Sequence, residues 1–226
     1  MNPNIHRRSS VNQGISMSKL LWAALAALAF AAPVFSQAPA DVAPDVLAKR
    51  VTDEVIAIVK SDKDIQAGNT KKVLDLVEAK VLPHFNFNRM TRLAVGPPWR
   101  QATPAQQQAL TNEFRLLLVH TYTSAFTQYR DQVIDYRPLK VSPTDAEVTV
   151  RSLIKQSGGG DPIDVNYSME KTDKGWKVYD VIIAGVSLVQ NYRSSFAGEI
   201  QRGGIDGLIA TLSNKNKSLA GQAARK

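Results

Sequence analysis

The segment WKVYDVIIAGVSLVQNYRSSF (Trp176–Phe196) combines a strand, a bend and an amphipathic helix, and the other predicted elements are arranged around it. The second half of its strand is apolar on both sides, which is typical of a central strand. We expect two faces: Trp176, Val178 and Ile182 on one, and Tyr179, Val181 and Ile183 on the other. Gly185 permits the bend and Ser187 supplies a hydroxyl where a helix begins. The helix is indicated by apolar residues at four-residue spacing: Leu188, Tyr192, Phe196 and Ile200.

Upstream of this segment, apolar and polar residues alternate as in strands with one buried face. The pattern is clearest in Ala146–Lys155 and Ile163–Glu170, and Val133–Val141 predicts a first strand. Turn residues separate the strands, with SGGGD at Ser157–Asp161 and TDKG at Thr172–Gly175. We therefore expect a meander of about four antiparallel strands.

Helices are predicted on both sides of these strands. Thr103 and Gln106 have the spacing of a capping box, with Pro104 at the first helical position. The helix that begins there is predicted to run to about Arg130, a length of about 38 Å. Two amphipathic helices are predicted before it, one around Val46–Val59 and one that ends at Pro83. The expected fold class is α+β: a twisted antiparallel sheet packed against the long helix and C-terminal helices.

The N-terminal 36 residues have the composition of a secretory signal peptide. They contain three basic residues and no acidic one, followed by a 13-residue apolar run, Leu20–Ala32, which is too short to span a bilayer. Cleavage after Ser36 would leave residues 37–43 as a flexible Ala/Pro leader. An uncleaved N-terminal membrane anchor is the alternative. The predicted mature protein is periplasmic.

Composition excludes several classes of protein. No cysteine is present, so disulfide frameworks and thiolate metal sites are excluded. Without the signal, the net charge falls from +8 to +5, and the basic residues are scattered except in residues 215–226, which we expect to form a basic flexible tail. This distribution is typical of a solvated surface and not of a nucleic-acid-binding protein.

Catalysis has weak support in the sequence, because no nucleophile, metal or paired-carboxylate motif is present. Asp180, on the predicted central strand, is the one acid that we consider as a general base. An α+β isomerase or dehydratase acting on an apolar substrate is therefore an alternative function. A structural role, in which Asp180 accepts hydrogen bonds, is the simpler explanation. A periplasmic adaptor with a solid core is a third possibility.

Three segments in the same order resemble the MlaC family of periplasmic phospholipid carriers, also called toluene-tolerance proteins. They are VGPPWRQATPAQQQAL (Val95–Leu110), the segment from Trp176 to Phe196, and GGIDGLIATL (Gly203–Leu212). The resemblance extends from about Pro44 to Leu212, and it predicts one lipid-binding domain over residues 44–214. It implies no enzymatic activity, and phospholipid as cargo in place of a cofactor. It also implies two partners: an inner-membrane ABC transporter with an MCE protein, and an outer-membrane lipoprotein complex.

Periodicity alone favours a packed core between sheet and helices, whereas the resemblance implies an apolar lipid cavity there. The side chains expected to line that cavity come from the long helix, the strands and the C-terminal helix: Leu117, Leu118, Tyr122, Phe126, Val148, Val150, Ile163, Val165, Tyr167, Met169, Val181, Ile183, Val186, Tyr192 and Phe196.

Overall fold

The computed structural model describes residues 42–123, 132–156 and 158–223. The predicted signal peptide, most of the predicted leader and the predicted site residue Phe126 lie outside these ranges. None of the described helices is long and apolar enough to cross a membrane.

Six α-helices lie in the described part of the chain. They are α1 (Pro44–Ser61), α2 (Lys63–Gln66), α3 (Thr70–Leu76), α4 (Phe87–Val95), α5 (Pro104–Tyr122) and α6 (Leu188–Ala223). A π-helical turn (Val77–Val81) and a 3-10 turn (Leu82–His84) follow α3, and a second 3-10 turn (Pro97–Arg100) precedes α5. Pro83 lies in the first of these 3-10 turns, so the second predicted helix does end there.

The strands form one antiparallel sheet in the order β1-β2-β3-β4-β5. Their bounds are β1 (Val133–Tyr136), β2 (Glu147–Lys155), β3 (Ile163–Thr172), β4 (Gly175–Ile183) and β5 (Val186–Ser187). The predicted α+β class with an antiparallel meander is confirmed. The sheet has a short fifth strand that the sequence did not predict, and β1 ends at Tyr136, short of the predicted Val141.

Side-chain caps fix the starts of two helices where the sequence placed them. At α5 the Gln106 N–H donates to Thr103 Oγ1 (3.2 Å), and the Thr103 N–H donates to Gln106 Oε1 (3.0 Å). This reciprocal pair is the predicted capping box. At α6 the Gln190 N–H donates to Ser187 Oγ (3.0 Å), which satisfies one of the free donors at the helix start.

The last helix, α6, is interrupted at Gly204, and its second half turns back along the first. Gly204 has a φ of 65°, which is in the region that glycine adopts without strain. A straight helix would separate Glu199 from Thr211 by about 18 Å. Instead, Thr211 Oγ1 donates to Glu199 Oε2 at 3.1 Å. The second half lies along α5, where Asn216 Nδ2 donates to the Glu113 carbonyl (2.9 Å). The expectation of a flexible tail from residue 215 is therefore wrong as far as Ala223, because residues 215–223 are helical and Asn216 is buried.

The buried apolar side chains form three clusters. The helical cluster joins α4, α5 and α6 around Phe114, whose ring contacts Tyr192 and Phe196 edge-on at 5.1 Å in each case. The sheet cluster contains the apolar face of β2, β3 and β4. The N-terminal cluster joins α1, α2 and α3 with Val119 of α5. We expected α5 to cover the sheet, but α1 covers its apolar face and α5 packs on α4 and α6. Periodicity identified the apolar side of each helix without identifying the element against which it packs.

Arg89 of α4 connects the helices to the opposite, outer face of the sheet. Its guanidinium forms ion pairs with Glu170 and Glu147, each at 2.6 Å, and lies 3.6 Å from the ring centroid of Tyr179. The Tyr179 hydroxyl donates to Glu147 (2.9 Å), and Asn86 Nδ2 donates to Glu170 (2.7 Å). Arg89 and Glu170 are each only 17% exposed, so this network is among the better shielded ionic contacts of the described residues.

Candidate functional site

The inner face of the sheet is the apolar surface most suited to a hydrophobic ligand. We define it as the face that carries Val150, Val165 and Met169, which are buried and lie on neighbouring strands. In the antiparallel register Val150 is opposite Tyr167, and Tyr167 is opposite Val181. The alternation predicted for β2 and β3 is thus confirmed, because the even residues of β2 and the odd residues of β3 share this face.

A β-bulge changes which residues of β4 reach the inner face. Ser168 pairs with Asp180 and Met169 pairs with Val178, so Tyr179 is an extra residue without a partner on β3. The bulge shifts the alternation by one residue. Trp176 and Val178 consequently join Val181 in the sheet cluster, and the expectation that they lie on the opposite face from Val181 is wrong.

Helix α1 covers the inner face. Leu47, Ala48 and Val51 contact the sheet cluster, and Val51 also contacts the N-terminal cluster. Phe85 is in turn shared by the sheet cluster and the helical cluster. Both shared residues are only partly buried. The described core is therefore divided into three packed regions, and the half-buried side chains of Val51 and Phe85 join the sheet cluster to the other two.

Tyr167 keeps accessible surface although it lies on the middle strand of the sheet. Strands flank it on both sides, so its half-buried state cannot come from a sheet edge. Burial is nevertheless the main cause that raises the pKa of its hydroxyl. Tyr167 is therefore a half-buried residue between the buried residues Val165 and Met169 of the inner face.

A small polar group lies on the inner face beside Tyr167. The hydroxyl oxygens of Tyr136 and Thr52 are 2.6 Å apart and share a hydrogen bond, and Tyr136 Oη also donates to the Ala48 carbonyl (3.3 Å). Ser152 Oγ donates to the Val165 carbonyl (2.6 Å). Burial raises the pKa of Tyr136 well above its usual value, so this hydroxyl is uncharged at any physiological pH. The inner face thus offers neutral hydrogen-bonding groups within an apolar surface.

The structure divides the predicted site residues into two groups. Those of the sheet cluster surround the inner face: Val148, Val150, Ile163, Val165, Tyr167, Met169, Val181 and Ile183. Those of the helical cluster pack around Phe114, away from that face: Leu117, Leu118, Tyr122, Tyr192 and Phe196. Val186 belongs to neither group, because it is 56% exposed beyond the β4–β5 turn.

Several residues at the inner face were absent from the predicted set: Leu47, Val51, Tyr136, Ser152, Trp176 and Val178. The helical periodicity around Leu47 and Val51 was visible in the sequence, but their contact with the sheet was not. Alternation also placed Ser152 on the same side as Val150, and Ser152 was left out of the predicted set only because it is polar. No local signal indicates the bulge that brings Trp176 and Val178 to this face.

Asp180, the candidate general base, is used for hydrogen bonding at the start of α6. Its carboxylate accepts from Ser187 Oγ (2.5 Å) and from the Val189 N–H (3.1 Å). Each of its oxygens therefore has a donor within the fold. This arrangement supports the structural role. In the described ranges, no group of three or more His, Asp or Glu side chains could hold a metal ion.

A groove of about 610 Å³ lies at the edge of β2, beyond the end of β1. Its lining combines charged, polar and apolar side chains: Arg137, Pro138, Leu139, Thr149, Arg151, Ser152, Leu153 and Asp164. The groove is open to solvent on the outer face of the sheet, which carries Thr149, Arg151 and Asp164. Its two arginines and one aspartate distinguish this groove from the inner face, whose polar groups are neutral.

Comparison with known proteins identifies relatives that share most of the described fold. The family model for MlaC protein matches residues 49–214. The chain belongs to the MlaC family. The match begins within α1 and ends within the second half of α6, so it includes the whole sheet, most of the helix that covers it and most of the helical cluster.

Curated relatives of this MlaC-family chain agree with that assignment. The intermembrane phospholipid transport system binding protein MlaC of Haemophilus influenzae is 25% identical over 175 residues, which cover 76% of this chain and 82% of the relative. Toluene tolerance protein ttg2D of Pseudomonas putida is 26% identical over 174 residues, which cover 76% of this chain and 78% of the relative.

A solved structure also matches the fold. The phospholipid-binding protein from Ralstonia solanacearum, solved in complex with a phospholipid, has 40% sequence identity and a TM-score of 0.72, covering 78% of this chain and 98% of that chain. The fold of this MlaC-family chain is thus one in which a related protein holds a phospholipid.

Proposed function

We propose that this protein carries a phospholipid through the periplasm, with the acyl chains held between the inner face of the sheet and α1. The observation that carries the proposal is the accessible surface of Tyr167 beneath α1, in a fold whose solved relative contains a phospholipid.

The hydrophobic effect explains why a carrier is needed. A diacyl phospholipid has about 30 methylene groups, and exposing them to water costs on the order of 20 kcal/mol. An apolar site in the protein avoids most of this cost during transfer between bilayers. The free energies of the lipid in a bilayer and in the protein are then similar, so the carrier needs no chemical energy of its own.

Among the predicted site residues, we assign the acyl-chain contacts to those of the sheet cluster. The half-buried members Val148, Ile163, Tyr167 and Ile183 have surface that a ligand can cover. The helical-cluster residues Leu117, Leu118 and Phe196 are closely packed and have little surface left. Their role in this proposal is to hold α4, α5 and α6 together beside the site.

The direction of transport must come from partners, because a site with nearly balanced free energies does not favour either membrane. We propose that the protein is exported by residues 1–36. It would exchange lipid with an inner-membrane ABC transporter that carries an MCE protein and with an outer-membrane lipoprotein complex. The name of the Haemophilus influenzae relative, an intermembrane phospholipid transport system binding protein, supports membership in such a system.

Native mass spectrometry of protein purified without detergent tests the proposal. We expect a series of added masses that correspond to phospholipids of mixed headgroup. Val51→Glu should abolish them, because Val51 contacts the inner face from α1. The matched control is Val46→Glu on the same helix, where the side chain is 54% exposed, and it should retain lipid.

Thermal unfolding of both lipid-free variants shows whether Val51→Glu remains folded. Lipid-free wild-type protein from gently handled material would contradict the carrier function. Equal lipid content in a folded Val51→Glu variant and its control would contradict the placement of the acyl chains.

A further inference from the structure

The inner face reaches solvent at the corner of the sheet that β5 forms. In the antiparallel register Val165 of β3 is opposite Ile183 of β4, and Ile183 is opposite Val186 of β5. Side chains directly opposite each other on neighbouring strands lie on the same face of a sheet. Exposure increases along this row, from Val165 (7%) through half-buried Ile183 to Val186 (56%). The apolar surface of the inner face is therefore continuous from its buried part to solvent at this corner.

The neighbouring ends of β2 and β3 add apolar side chains to the same end of the inner face. Ile154 is opposite Ile163, and both contact the sheet cluster and are half-buried. Val150, four residues earlier on β2, is 0% exposed. The inner face is thus more accessible at the end of the sheet that carries the β4–β5 turn than at Val150.

The turn itself is apolar and exposed. We define the hairpin tip as Ala184, Gly185 and Val186, which are all exposed. No charged residue occurs in the sequence between Asp180 and Arg193. Ala184 has a φ of 48° and Gly185 a φ of 83°, and hairpin turns with positive φ at both central residues favour Asn-Gly or Asp-Gly. Ala184 is the one non-glycine residue with positive φ among the described residues. The tip therefore keeps an apolar side chain where a polar one would suit the backbone better.

Position, and not exposure alone, distinguishes Val186. Single exposed apolar side chains are common on protein surfaces. Val133 is 57% exposed, but it is opposite Lys155 of β2 and so lies on the outer face of the sheet. Val186 has nearly the same exposure and lies beside Ile183 on the inner-face side. The two valines consequently form a matched pair for an experiment.

We propose that the hairpin tip, with Ile163 and Ile183, forms the portal through which the acyl chains of the cargo enter and leave the inner face. This inference rests on the proposed carrier function and deepens it by assigning the route of the lipid. A chain that moves along a continuous apolar row keeps part of its surface out of water at each stage. A portal is crossed in both directions, so it sets the rates of entry and exit and leaves the affinity unchanged.

The rates of lipid entry and exit test the portal. Delipidated protein is mixed in a stopped-flow instrument with a phosphatidylglycerol that has one short fluorescent acyl chain and is monomeric in water, and exit is measured by chasing with unlabelled lipid. Val186→Asp should slow both rates about tenfold or more with little change in Kd, because the carboxylate must lose hydration when a chain passes.

Two further variants make this result specific. Ala184→Asp should also slow entry and exit, and aspartate tolerates the positive φ of Ala184, so this variant retains the fold. The control Val133→Asp places the same charge at an equally exposed valine on the outer face and should change neither rate. Thermal midpoints of the lipid-free proteins show that all three variants are folded.

The outcomes separate the portal from the carrier function. Wild-type rates in both Val186→Asp and Ala184→Asp, or equal slowing by Val133→Asp, would overturn the portal and leave the carrier function intact. Weaker binding at an unchanged entry rate would place Val186 in the binding site and not at its entrance, which also overturns the portal. A wild-type dimer that Val186→Asp dissociates in native mass spectrometry would assign the tip to a second copy of the chain instead. Wild-type protein that takes up no lipid would contradict the carrier function itself.

Discussion

Replacement of Arg89 by methionine tests the connection between the helices and the outer face of the sheet. Methionine keeps an apolar chain of similar length over Tyr179 but removes both ion pairs. Glu170, which is 17% exposed, would then keep only its 2.7 Å hydrogen bond from Asn86. Loss of one partner of a fully buried pair costs about 3–5 kcal/mol. Because Glu147 is half exposed and Glu170 keeps one donor, we expect a loss of about 2–4 kcal/mol in the free energy of unfolding.

Urea denaturation of lipid-free protein measures this loss. The double variant Arg89→Met/Glu170→Gln should recover about 1 kcal/mol or more, because no shielded charge is then left without a cation. Arg202→Met is the control, since Arg202 is 72% exposed and its pair with Glu199, which keeps a hydrogen bond from Thr211, should contribute less than about 1 kcal/mol. A loss below about 1 kcal/mol for Arg89→Met, or equal losses for Arg89→Met and Arg202→Met, would refute the reasoning.

Three further predictions concern the inner face, the helix cap and the pH dependence. Val150 has 0% exposure, so Val150→Trp should destabilise lipid-free protein by about 1–3 kcal/mol. Ile163 is half-buried, so Ile163→Trp should lower the lipid content with little effect on the thermal midpoint. Equal destabilisation by the two substitutions would argue against an open space at the inner face. Thr103→Ala should cost about 0.5–2 kcal/mol in urea unfolding and Thr103→Ser much less, and equal costs would exclude the hydroxyl cap. Burial lowers the pKa of His84, so the folded protein favours the neutral imidazole. The free energy of unfolding should therefore fall as the pH drops from about 6.5 toward the lower pKa of the folded state. An unchanged pH profile in His84→Gln would contradict this.

The sequence was informative wherever structure depends on neighbouring residues. The spacing of Thr103, Pro104 and Gln106 predicted the start of α5, because a capping box is completed within one helical turn. The alternation in β2 and β3 predicted which of their side chains share a face, because strand periodicity is a local property. The family resemblance predicted the class of protein from three separated segments, and the family match over residues 49–214 confirms it.

Three features depended on contacts that no local pattern specifies. The bulge at Tyr179 moves Trp176 and Val178 to the inner face, and the sequence around it alternates as in a regular strand. The fold-back at Gly204 places the second half of α6 along α5, so basic residues that resemble a free tail belong to a packed helix. Helix α1 covers the inner face, although about a hundred residues separate α1 from β2 in the sequence. Amphipathic periodicity gives each helix an apolar side and leaves its partner unspecified.

Photo-crosslinking most directly tests the claim that acyl chains lie between α1 and the inner face. The lipid-free protein is loaded with a phospholipid that carries a photoactivatable group near the ends of its acyl chains, then irradiated and digested for tandem mass spectrometry. We expect labels on residues 47–51 of α1 and on residues 163–169 of β3, which face each other across the site. Labels confined to the helical cluster around Phe114, or a loaded protein without labels on either segment, would contradict the account.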